Sequence, residues 1–139
     1  MTQRAGRVAS DGAQAEIGGH GKNQPFRARL GFALAGLRFA LRTENSLKFQ
    51  ASVFVAVVIA LAILRPGPLW WALVMLASCA VLTAELLNTA LEHLVDHLHP
   101  QLHPRIRIVK DCAAAAVLLA VLGAAAVGAA LAVHLITRR

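Results

Sequence analysis

From Leu69 to Thr83 the chain carries no charged side chain, and the run then continues as AELLNTALEHLVD, Ala84 to Asp96, where acids and amides appear. On a helix turning about 100° per residue, Glu85, Asn88, Thr89, Glu92 and Asp96 fall at i, i+3, i+4, i+7 and i+11 and share one narrow face. Leu86, Leu87, Leu91, Leu94 and Val95 take most of the remainder. Ionisable groups in a membrane-type helix are expensive, and they are kept where they face other helices, an ion or water. The stretch therefore demands a membrane fold with polar neighbours along one face, and it supplies the first candidates for function.

Composition agrees. The chain has 139 residues, 58% of them hydrophobic and only 5% aromatic, with a mean hydropathy of +0.61. That is too apolar for an ordinary soluble domain, and one all-α integral membrane domain is the expectation. The net charge of +7 is uneven, because eight of the fourteen Lys and Arg and three of the seven acids lie in the first fifty residues. A basic segment beside apolar spans points to anionic lipid at the cytoplasmic leaflet. No basic stripe interleaves with exposed aromatics, so a nucleic-acid partner is not expected. Cys79 and Cys112 sit in separate apolar runs without CxxC spacing and read as packing residues.

Residues 1–25, rich in Gly, Ala, Gln and charge, read as a disordered tail without the apolar core of a secretory signal. The membrane domain spans 26–139. Residues 26–46 form an amphipathic helix, with Leu30, Leu34, Leu37 and Leu41 set against Arg27, Arg38 and Arg42, as expected of an interfacial helix lying along the headgroups. Glu44 is an isolated acid in this positive neighbourhood, a candidate ion ligand, while Thr43, Glu44 and Asn45 also suit a helix break or cap. Spans are expected at about 47–64, 69–98 and 112–136, the first just long enough to cross a hydrocarbon core of about 30 Å. Arg65 to Pro68, RPGP, turns the chain between the first two, and Trp70 and Trp71 anchor the second at an interface. His97 to Lys110, broken by Pro100 and Pro104, is the second connection. Its Arg105, Arg107 and Lys110 place it with the N-terminus in the cytoplasm, against a weaker contrary signal from Arg138 and Arg139. The third span is built of small residues, among them Ala120, Ala124 and Gly128, which permit close helix packing. Three spans do not easily enclose a polar site alone, so a homo-oligomer is expected.

This topology gathers Glu44, Glu85, Glu92, Asp96 and Asp111 near one membrane face beside Lys110. Hard oxygen donors suit Mg2+, which arrives with phosphates and keeps part of its water. A cation with a Lys neutralises a transferring phosphoryl group, and a spare carboxylate accepts a proton from an attacking hydroxyl. No GxxxxGK[ST] loop is present. His93 and His97 at i, i+4 suggest zinc, but no further ligand spacing supports it. On residue chemistry an enzyme is favoured over a small proton- or ion-relay protein or a purely structural subunit, and all three stay open.

AELLNTALEHLVD followed by VKDCAAAAVLLA, with GLRFALRTENSLKF before the first span, resembles the small prokaryotic diacylglycerol kinase family, which includes undecaprenol kinases. The likeness runs from about Phe26 to the C-terminus; Phe49 and Gln50 depart from the more polar residues of some members. The resemblance implies an inner-membrane enzyme with a surface helix and three spans. It implies a homotrimer with cytoplasmic-side active sites, passing the γ-phosphate of MgATP to the primary hydroxyl of diacylglycerol or undecaprenol. It implies Glu85 as general base, with Asn88 orienting it or the phosphates. Glu44 and Glu92 would hold Mg2+. Lys110 would neutralise phosphate oxygens, with Asp111 and His103 lining the ATP site and Asp96 supporting it. Arg38 and Ser46 would lie near the lipid headgroup.

Overall fold

The computed structural model describes residues 24–99, 101 and 103–137. The tail expected for residues 1–25 therefore falls almost wholly outside the described residues, as do Pro100, Arg138 and Arg139. Described are four helices: α1 (Phe26–Thr43), α2 (Asn45–Leu64), α3 (Pro68–Leu98) and α4 (Pro104–Thr137). The chain divides into two units between Gly36 and Leu37, and the site residues from Leu37 onward lie in the second. Helices α2, α3 and α4 are each long and apolar enough to cross a membrane.

Helix α1 stops at Thr43, three residues before the expected boundary. Glu44 leaves the helical backbone for an extended conformation (φ −97°, ψ 118°), although its N–H still donates to Ala40 O and its own carbonyl accepts from Lys48 N–H. One non-helical residue thus bends the chain between two helices without leaving these two backbone groups unpaired.

Between α2 and α3, Arg65 adopts the left-handed conformation (φ 48°, ψ 50°) and donates its N–H to Leu61 O, closing α2. Pro68 then opens α3, where a missing N–H costs nothing. Left-handed backbone disfavours branched side chains most, so Arg65→Val is expected to destabilise the protein by roughly 1–2 kcal/mol. Thermal unfolding in detergent, followed by helical signal, checks this.

The second connection is shorter than the sequence suggests. Pro104 is not a breaker but the first residue of α4, so Arg105, Arg107, Lys110 and Asp111 belong to its opening turns. His103 explains the start: its Nδ1 accepts from Arg105 N–H at 3.2 Å, and its carbonyl accepts from Ile106 and Arg107. An imidazole therefore satisfies a helix-start donor usually met by Ser, Thr, Asp or Asn.

Helix α3 packs mainly on α4 and less on α2. Leu61, Val74 and Leu131 join the three helices near the Arg65 turn, with Trp70, Trp71 and Val127 around them. Elsewhere long side chains such as Leu76, Leu87 and Leu119 are exposed. Such faces need lipid or further protein. The glycines of α4 are not used for close approach among the described residues: beyond the backbone of its own helix, a methyl group added at Gly123 or Gly128 meets nothing within 4 Å.

Candidate active site

The bend at Glu44 determines what its side chain does. Its carboxylate makes no cap to α2, and the neighbouring Thr43 hydroxyl turns back to Phe39 O at 3.1 Å. Glu44 reaches across to α3 instead, where His93 Nε2 lies 3.4 Å from its Oε1. The His93 ring also stands edge-on to Phe39, with centroids 5.4 Å apart. The end of α1, the bend and the last turns of α3 are thus fastened together by one imidazole.

Two turns deeper on α3, Glu85 and Thr89 are buried, each 5% exposed. These two positions, i and i+4, are the most enclosed part of the polar face. Gln50 of α2 donates Nε2 to Glu85 Oε2 at 3.2 Å. Among the described residues Glu85 has no cationic partner. A buried carboxylate held only by a neutral amide marks a functional candidate, because burial without a countercharge opposes stability.

Asn88 is half-buried and donates Nδ2 to Glu92 Oε1 at 3.1 Å. It therefore orients Glu92, one turn on, rather than Glu85. Its Oδ1 and the Oε1 of Gln50 are buried with no hydrogen-bond partner. Each such orphan acceptor costs about 1–3 kcal/mol, a cost tolerated mainly where a ligand, ion or water completes the bond.

At the end of the face, Lys110 of α4 bonds Asp96 Oδ1 at 2.5 Å, tying α4 to α3. Of the remaining predicted site residues, Arg38 and Ser46 are exposed, with no side-chain hydrogen bond or ion pair among the described residues. Asp111 does not join Lys110; it pairs along its own helix with Arg107 at 3.7 Å, both side chains mostly exposed. His103 spends Nδ1 as the α4 cap, leaving Nε2 for any ligand.

Among the described residues no three His, Cys, Asp or Glu side chains cluster as a metal cage, and His93 pairs with Glu44 rather than with His97. This arrangement does not support a closed zinc site. Mg2+ asks for less, one or two carboxylates completed by phosphate oxygens and water. The oxygens of Glu44 and Glu92 and the orphan Asn88 Oδ1 are hard donors of the right kind.

Gln50 and His93 have site contacts that the sequence does not assign to them: it offers His93 as half of a zinc pair with His97 and Gln50 as a departure from the family. Gln50 is one polar residue at the start of an apolar run, and His93 lies just off the acidic face. Their importance rests on contacts across helices.

A membrane-length helical bundle with an acidic, partly buried face at one end defines the class. Residues 31–132 match the prokaryotic diacylglycerol kinase family, and the chain belongs to it. It is 42% identical over 101 residues to a protein of Synechocystis sp. named diacylglycerol kinase. That alignment covers 72% of this chain and 58% of the relative, so the match spans little more than half the relative's length.

Proposed function

We propose that the protein is a membrane lipid kinase that passes the γ-phosphate of ATP to the primary hydroxyl of diacylglycerol, giving phosphatidic acid. Family membership and the name of the Synechocystis relative support the lipid acceptor. The observation that carries the chemistry is the buried Glu85 carboxylate, bound by an uncharged amide at the end of an apolar helix.

Glu85 takes the proton of the lipid hydroxyl. The oxygen then bonds to the γ-phosphorus as the bond to the β–γ bridging oxygen breaks, and ADP leaves. Glu44 and Glu92 would hold Mg2+, with Asn88 orienting Glu92. When bound, Mg2+ neutralises charge on the phosphates. Lys110 shifts its share of charge from Asp96 to the phosphate oxygens, with Asp111 and the free His103 nitrogen beside the nucleotide. Arg38 and Ser46 meet the lipid headgroup. In this reading α1 lies at the cytoplasmic surface of a bacterial inner membrane, and the exposed leucines of the spans are covered by lipid and by neighbouring protomers of a homotrimer.

Lys110→Met is expected to raise the KM for MgATP about 10–100-fold, the scale of a charge-assisted bond of roughly 1.5–3 kcal/mol. Steady-state kinetics with varied nucleotide measures it. The acceptor is tested by offering purified protein MgATP with dioleoylglycerol or undecaprenol in mixed micelles. Faster transfer to dioleoylglycerol is the expected result; transfer to undecaprenol alone would make the protein an undecaprenol kinase of the same family.

A further inference from the structure

We propose that Gln50 is the positioning residue of the Glu85 base, an inference that rests on the lipid-kinase reading and deepens it. Gln50 lies in α2 and Glu85 in α3, 35 residues apart, and the amide reaches Oε2 of the carboxylate. With Oε2 tied to a fixed donor, the carboxylate loses its freedom to rotate, and Oε1 is the oxygen left to receive the hydroxyl proton. An amide is suited to this because it carries no charge. A Lys or Arg at position 50 would orient the carboxylate too, but would hold it ionised and weaken it as a base.

Two further observations separate this from ordinary packing. The amide lines an apolar groove of about 430 Å³ between α2, α3 and α4, whose walls include Phe49, Phe54, Val57, Leu82 and Val121. An apolar side chain at position 50 would suit those walls better. Moreover, Gln50 Oε1 is buried and unpartnered, so the amide is kept although half of its hydrogen-bonding capacity is unmet. The Nε2 bond to Glu85 is what it contributes. Gln50 itself exchanges no proton and touches no phosphate in this scheme.

The test uses full-length protein in detergent with MgATP and dioleoylglycerol. Gln50→Met removes the donor and keeps the length of the side chain. It is expected to lower kcat by about 10- to 100-fold, the scale of a misplaced catalytic group, with KM for MgATP and oligomer size unchanged. Gln50→His, which retains an N–H donor, recovers much of the loss. Gln50→Leu also lacks the donor and loses kcat as Gln50→Met does, so it decides the matter if the methionine variant fails to fold. Wild-type kcat in the folded donor-less variants, or equal losses in Met and His, would overturn the positioning role. Glu85→Gln is measured alongside. If it is inactive while Gln50→Met is unaffected, only the positioning role falls; if it stays active, the general-base reading itself falls.

Discussion

Glu85→Gln should lower kcat for lipid phosphorylation by about 10²- to 10⁴-fold, the usual contribution of a general base. The substitution keeps the size of the side chain and removes the proton acceptor. Because Glu85 is only 5% exposed and has no cationic partner among the described residues, removing its charge strands no opposite charge in the interior. Helical content and oligomer size should therefore be preserved, and thermal stability should hold or rise. A variant that lost activity only by losing its assembly would fail the prediction. The informative pair of measurements is single-turnover phosphate transfer beside size-exclusion chromatography of the same sample.

Glu92→Gln should be nearly as damaging, by a different route. Glu92 is half-buried and is held by Asn88 Nδ2. With a neutral amide in its place, the proposed Mg2+ site keeps Glu44 as its one carboxylate. A loss of at least 10-fold in apparent metal affinity is expected, on the scale of removing a group that supports a metal site. Activity should recover partly at high Mg2+, whereas Glu85→Gln should not respond. Titrating activity against Mg2+ at saturating ATP separates the two, and Mn2+ broadening of NMR signals in the absence of lipid gives a reading independent of turnover. Asn88→Ala should follow Glu92 rather than Glu85, since its amide serves the former.

The acidic face of α3 was legible because helical period alone decides which residues share a side. Glu85 and Thr89, picked out by their i, i+4 spacing, are the buried polar pair of the helix, while Leu87, Leu91, Leu94 and Leu98 on other sides are exposed. The three long apolar helices were legible for the same reason. The start of α4 was not. Two prolines among histidines resemble a broken loop, yet Pro104 suits a first helical position and His103 caps it, which depends on a ring nitrogen meeting a backbone donor. Pairings across helices were equally hidden: periodicity says which face Glu85 occupies but not that Gln50 stands opposite. Nor does it say that Glu44 meets His93. Asn88 illustrates the limit within one helix, since Glu85 at i−3 and Glu92 at i+4 are both within reach and only geometry selects Glu92.

Carboxylates on a membrane helix also suit proton movement, so the most direct measurement compares the two chemistries in one preparation. Protein reconstituted into vesicles containing dioleoylglycerol is given γ-labelled MgATP, and lipid labelling and proton flux are followed together for wild type and Glu85→Gln. Label entering phosphatidic acid with wild type and not with Glu85→Gln, without any Glu85-dependent flux, is the predicted result. Flux that depends on Glu85, with no label in any lipid, would contradict the account.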